Sequence, residues 1–228
     1  LAYAVLGNHE YWLSRRPALA NFFGRFPQLR GRHWYALSYG ELGIVCLDSN
    51  LRWLSAPVWR EQLAWYRRLL EQWDADGAIR GVLVLLHHPP FTNSRVTSDA
   101  IHVQRDLVPP FAGASKTLAM ISGHVHNYER FVREGKTFLV AGGGGGPRAP
   151  LREGARRRHA DDLFAGGRLR AFHYLRFRPG REALEVEVRG LEKDGTGFDT
   201  MEGFDLPWAA GIPGGAARPL PETPPPAR

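Results

Sequence analysis

The stretch GVLVLLHHPPF (residues 81–91) constrains the fold of this chain most. Six small or apolar residues run without a polar break and end at two histidines and two prolines. A strand with one wet face would alternate apolar and polar residues, so an unbroken run of this length belongs to a strand covered on both faces. Just before it, residues 57–73 (PVWREQLAWYRRLLEQW) place Trp59, Leu63, Tyr66, Leu70 and Trp73 at steps of four, three, four and three. That spacing puts one apolar stripe on an amphipathic helix. Pro57 suits the first helical turn, where its missing N–H costs nothing, and DADG (74–77) supplies a glycine stop. A helix followed by a doubly covered strand predicts a layered α/β domain.

Further strands are expected at residues 33–40, 43–48, 117–122, 137–142, 171–177 and 183–190. The last of these alternates, with Leu184, Val186 and Val188 on one face and Glu185, Glu187 and Arg189 on the other, the pattern of a half-exposed antiparallel strand. AYAVLG (2–7) reads as a strand already under way, so the chain is expected to be a fragment whose natural start, with any signal peptide, lies before Leu1. Residues 1–208 read as one domain. The tail 209–228 is rich in Pro and Gly, holds too few large apolar residues to offset the entropy of ordering, and is expected to be disordered.

At 228 residues the chain is long enough for a sizeable core, and no apolar run approaches the roughly 18 residues of a membrane span. The lone cysteine, Cys46, lies in the apolar stretch GIVCLD and reads as a small buried hydrophobe. The net charge of +7 comes mainly from arginines such as those in REGARRRH (152–159). Such a surface is either a solvated basic face or a source of attraction for anions: phosphate esters, nucleic acid or an anionic surface.

Three groups carry chemistry: Asn8, His9 and Glu10 in GNHEY, His87 and His88 in HHPPF, and His124 and His126 in GHVHNYER. Each follows an apolar run. In layered α/β folds the residues just past the carboxyl ends of strands converge on one edge, where ligands bind. Converging imidazoles and an amide oxygen suit Zn, Fe, Mn or Ni-like ions. Competing motifs fail. HEYWL has Leu13 where a helical zinc-protease site needs its second histidine, and GGGGG (142–146) runs into Pro147 and Arg148 rather than the Lys-Ser/Thr of a nucleotide loop. The glycines there are expected to permit a tight loop or a close approach to the site.

In that order, GNHE, HHPPF and GHVHNYER resemble the later blocks of the calcineurin-like metallophosphoesterases, over about residues 1–146. The form GHVHNYER is most similar to the purple-acid-phosphatase-like branch. The resemblance implies a two-sheet αββα sandwich, here without its first β-α-β portion. It also implies hydrolysis of phosphate esters, monoesters above all, at two transition-metal ions (Fe, Zn or Mn) with a metal-bound hydroxide as nucleophile. Asn8, His87 and His124 match ligands of one ion and His126 a ligand of the other. His9 matches the histidine that hydrogen-bonds the phosphate or protonates the leaving oxygen, and His88 falls at a variable position that is not counted as a ligand. The family's Asp-x-His and Gly-Asp blocks, and the tyrosine ligand of the purple branch, would lie upstream, so the chain from Leu1 onward is expected to be inactive by itself.

Glu10, Tyr128, Glu129 and Arg130 are expected behind the ligands, with Glu129 and Arg130 paired to orient the histidine loop, or in direct contact with substrate. Asn93, Ser94 and His102 either line the substrate groove or fill the loop after His87. The implied partner is a small phosphate-ester substrate. No protein partner is implied, and a secreted or periplasmic location is compatible with the family. A diesterase or nucleotide hydrolase on the same site is the first alternative. A metal-free basic module that binds nucleic acid or an anionic surface is the alternative of another class, marked by steep salt dependence of binding without a metal requirement.

Overall fold

The computed structural model describes residues 2–12, 15–164 and 166–209. In chain order its main elements are α1 (Arg15–Arg25), β1 (Tyr35–Tyr39), β2 (Leu42–Cys46), α2 (Ala56–Ala75), β3 (Gly81–Leu86), α3 (Ile101–Asp106), α4 (Val108–Gly113), β4 (Thr117–Ser122), β5 (Tyr128–Arg133), β6 (Lys136–Ala141), β7 (His173–Pro179), β8 (Ala183–Leu191) and β9 (Phe198–Pro207). Strands β1 to β6 form one sheet in the order β1-β2-β3-β4-β6-β5, and β7-β8-β9 form a second. Strands β2, β3, β4 and β6 run parallel, while β1 and β5 are antiparallel edges. The unbroken apolar strand β3 lies inside the larger sheet, as its pattern requires.

Each face of that sheet is covered by a different layer. Val45, Val82, Val84 and Met120 share a core with Trp59, Tyr66, Leu70 and Trp73 of α2 and with Phe111 of α4. Leu42, Leu83, Leu118 and Ala119 point the other way and pack on Leu184, Val186, Leu206 and Trp208 of the second sheet. The two sheets therefore stack face to face, with α2 to α4 on the outer side of the larger one. Helix α1 covers the end of the inner face near β1, where its Phe22 and Phe23, with Phe26 just beyond, pack around Leu29, Tyr35 and Cys46. The alternation in β8 has this cause: Leu184, Val186 and Val188 are buried between the sheets. Cys46 is buried and unbridged.

Three expectations are corrected. AYAVLG forms no strand: residues 2–7 run without a ladder, and side chains take their carbonyls instead. Tyr35 Oη donates to Ala4 O at 2.9 Å, Asn50 Nδ2 to Leu6 O at 3.2 Å, and Gln28 Nε2 to Ala2 O. The glycine stop after α2 is not used; the chain leaves at Asp76 in an extended conformation, and Asp76 Oδ1 accepts the N–H of Ala78 at 2.9 Å. The buried face of α2 is broader than the expected stripe: Gln62, Trp65 and Leu69 are buried beside Trp59, Tyr66, Leu70 and Trp73, whereas Leu63 is half-buried. Apart from residue 209, the tail 209–228 lies outside the described residues. No helix among them is long and apolar enough to cross a membrane.

Candidate metal centre

Strands β3 and β4 are parallel neighbours, so their carboxyl ends bring the loops carrying His87 and His124 side by side. The N–H of Gly123 donates to His87 O at 3.1 Å and ties the two loops directly. Residues Asn8–Tyr11 form a single 3-10 turn whose Glu10 Oε2 accepts the N–H of Gly7 at 2.7 Å, which aims Asn8 at the same edge. The result is a knot of three donor atoms. Asn8 Oδ1 lies 2.7 Å from His87 Nε2 and 3.2 Å from His124 Nδ1, and the two imidazole nitrogens are 3.0 Å apart.

The local backbone is built for this convergence. His124 sits at φ 62°, left-handed space that a non-glycine residue enters only when its surroundings impose it. Successive tight turns, Val125 N to Gly123 O and Asn127 N to Val125 O (both 2.6 Å), hold it there. A Cβ on Gly7 would lie 2.9 Å from His87 Cε1, so the glycine of GNHE lets the His87 ring reach the turn. In the glycine run, a Cβ on Gly142 would lie 1.9 Å from Val125 O and one on Gly146 2.4 Å from His126 Cε1. Those glycines permit close approach to the histidine loop.

Burial, reinforced by the neighbouring imidazoles, pushes His87 down to about 3 and holds His124 below the ordinary histidine value. Both rings are therefore neutral, the state a metal ligand needs. His126 stands outside the knot. Its Nδ1 lies 2.8 Å from Pro147 O, so Nδ1 carries the proton and Nε2 keeps its lone pair. His88 lies nearer: the ligating atoms of His87, His88 and His124 all fall within 4.8 Å of one another. Its tautomer follows from Ser49. Ser49 Oγ accepts the N–H groups of His87 (3.2 Å) and His88 (3.0 Å), so its one proton goes to His88 Nδ1 at 2.9 Å. Neutral His88 then carries its hydrogen on Nε2 and acts as a donor.

A cavity of about 220 Å³ opens beside the knot, with Asn8, Asn50, Arg52, Trp53, His88 and His102 in its wall. Asn50 is buried, and its Oδ1 has no hydrogen-bond partner among the described residues. A buried acceptor without a partner costs roughly 1–3 kcal/mol, so a water or ligand at this spot would relieve it. Neutral imidazoles, each with one nitrogen lone pair to offer, a convergent amide oxygen and an unsatisfied acceptor nearby all fit a transition-metal ion and its substrate.

The floor beneath the site rests on residues that no motif in the sequence announces. Asp48, buried at the end of β2, accepts from Tyr11 Oη and from Asn50 N at 2.9 Å, and lies 3.1 Å from His33 Nδ1. Gln62 of α2 clasps the same residue by both ends: Asp48 N donates to Gln62 Oε1 (2.8 Å), and Gln62 Nε2 donates to Asp48 O (2.9 Å). The one available signal was a polar DSN directly after an apolar strand, together with a glutamine inside the apolar stripe of a helix.

The other candidates divide. His9 is exposed beside Asn8 and stacks on Trp12 with centroids 3.9 Å apart. His102 lines the cavity, its Nε2 2.8 Å from Ser49 O. Asn93 is buried away from it, clasping the backbone of His159, and Ser94 is buried too. Glu129 and Arg130 do not pair: adjacent residues of β5 point to opposite faces. Glu129 accepts from Thr92 Oγ1 and Asn93 N, whereas Arg130 Nη2 donates to Glu202 Oε1 at 2.6 Å and Tyr128 Oη donates to Glu202 Oε2 at 2.7 Å. Tyr128 and Arg130 thus reach the second sheet, and neither lines the cavity.

The family model of the calcineurin-like phosphoesterases matches residues 1–128. No curated protein matches the sequence. Solved structures that share the fold include the following two. GAP50, the anchor in the inner membrane complex of Plasmodium, is 12% identical with a TM-score of 0.65, the match covering 90% of this chain and 65% of that one. A dimetal phosphatase from Danio rerio is 16% identical with a TM-score of 0.58, covering 90% and 72%. The chain thus spans just under two thirds of the Plasmodium protein's length.

Proposed function

This chain belongs to the calcineurin-like phosphoesterase family, and we propose that the whole protein hydrolyses phosphate esters, monoesters foremost, at a centre of two transition-metal ions. The observation that carries this reading is the convergence of Asn8 Oδ1, His87 Nε2 and His124 Nδ1, each within 3.2 Å of the others and all inside the matched span. These three would hold one ion of Fe, Zn or Mn, and His126 Nε2, freed by the bond of Nδ1 to Pro147, would serve the second. Bound there, two such ions neutralise phosphate charge and acidify water. The remaining work falls to the chain itself. His9 holds a proton for the leaving oxygen on its exposed imidazole, His88 offers its Nε2–H to a phosphate oxygen, and Arg52 supplies positive charge at the cavity wall.

Elemental analysis of the purified full-length protein, after growth with Zn, Mn and Fe, tests the reading together with release of phosphate from nitrophenyl phosphate. Metal should be present, and His87→Ala and His124→Ala should each lower it. A metal content near zero would overturn the proposal.

A further inference from the structure

A second, larger cavity of about 600 Å³ lies apart from the histidines and shares no wall residue with the first. Its lining includes the exposed Arg95, Arg152, Arg156 and Arg168, together with Glu153 and the buried Leu151. The four arginines come from three separate stretches of chain. None makes a side-chain hydrogen bond or an ion pair within 4.0 Å among the described residues, and neither does Glu153. Their neighbours behave differently: Arg158 donates to Thr92 O, Ser94 O and Thr97 O, and Arg170 pairs with Asp162 at 3.1 Å. Arg158 and Arg170 are used internally, while the four around the cavity are exposed and carry no such bond.

The walls that carry them are fixed. Ser94 bridges Leu151, Arg95 N donates to Pro150 O (3.0 Å), Arg152 N to Asn93 O (2.8 Å) and Leu151 N to Arg168 O (2.9 Å). Four arginines against one glutamate leave three uncompensated positive charges around one hollow. Like charges gathered in a cleft repel one another unless an anion fills it, and the cleft walls concentrate their field. Guanidinium forks bind phosphate oxygens in pairs, and several forks around a space this large suit several phosphates at once.

We infer that this cavity binds a small polyphosphorylated anion, through Arg95, Arg152, Arg156 and Arg168. The ligand is either the far end of an extended substrate or a separate effector. The backbone makes the first arrangement reachable: Ala149 N donates to His126 O at 3.0 Å, and Leu151 in the cavity lining is two residues further, at most about 7 Å of chain.

Inorganic tripolyphosphate is the probe, titrated calorimetrically into chelator-treated protein so that the histidine site contributes nothing. Saturable binding is expected, much tighter than that of orthophosphate. It should weaken roughly 10- to 100-fold in the Arg152→Gln/Arg156→Gln variant, the scale for losing charged hydrogen bonds. Arg95→Gln/Arg168→Gln repeats the test from the opposite wall. Absent binding, equal affinity for orthophosphate, or affinity unchanged in both variants would overturn the inference, whether or not the protein is a phosphatase. In the metal-loaded enzyme, a KM raised for a polyphosphorylated ester but not for nitrophenyl phosphate assigns the cavity to the substrate. Unchanged KM values for both, with tripolyphosphate binding lost, assign it to an effector.

Discussion

Glu129 should make this protein less stable as pH rises from acid to neutral, and Glu129→Gln should remove that slope. The carboxyl is fully buried. Burial pushes it from 4.5 up to about 7, against the pull of hydrogen bonds from Thr92 Oγ1 and Asn93 N that favour the anion. Below pH 4.5 the folded and unfolded chains both hold the proton. Between 4.5 and about 7 the folded chain keeps a proton that the unfolded chain has lost, so stability falls with rising pH. Above about 7 both are ionised and the loss is complete. The gap corresponds to roughly 3 kcal/mol, at about 1.4 kcal/mol for each pH step, or on the order of 6–12 °C in Tm for a chain of this size. His87 and His88, lowered by burial to about 3 and about 4, give a slope of the opposite sign, because the unfolded chain takes up their protons first. The informative quantity is therefore the difference in Tm between wild type and Glu129→Gln, in which the histidines cancel. Measured by thermal denaturation, it should shift by that amount in favour of the variant between pH 4.5 and 8. A difference independent of pH, or a variant weakest at pH 8, would refute the reasoning.

Three further outcomes are expected. His9→Ala should keep most of the metal yet lose roughly 10²–10⁴-fold in turnover on poor leaving groups, and less on nitrophenyl phosphate, which needs little protonation; equal losses on both would remove the proton-donor role. Gly7→Ala should cut metal occupancy, read by elemental analysis, since its Cβ would meet the His87 ring at 2.9 Å; full occupancy would show that the ring yields freely. Gln62→Leu leaves both backbone groups of the buried Asp48 without partners, so it should cost about 2–5 kcal/mol in denaturant unfolding; a loss under about 1 kcal/mol would mean water replaces the amide.

Much of the layering was legible along the chain. The unbroken apolar run of β3 and the stripe of α2 state their burial directly, because strand and helix periods are local properties. Helix α1 was not legible: Pro17 and Gly24 interrupt it, and its aromatics gain meaning only against Leu29 and Tyr35. Strand β5 hid for a different reason. Its YERFVR mixes charges with apolar residues because Glu129 finds Thr92 and Arg130 finds Glu202, partners 37 and 72 positions away.

The site divides in the same way. The histidines at strand ends, the family they point to and the close-packing glycines follow from residue types and their order. Which atoms meet does not. The parallel pairing of β3 with β4, the approach of Asn8 to both histidines and the Ser49 hydroxyl that sets the tautomer of His88 all depend on chain segments tens of residues apart. So does the isolation of four arginines around one cavity while Arg158 and Arg170 beside them are consumed by the fold. A sequence shows how many charges a segment carries; only packing decides which of them find internal partners and which are left for a ligand.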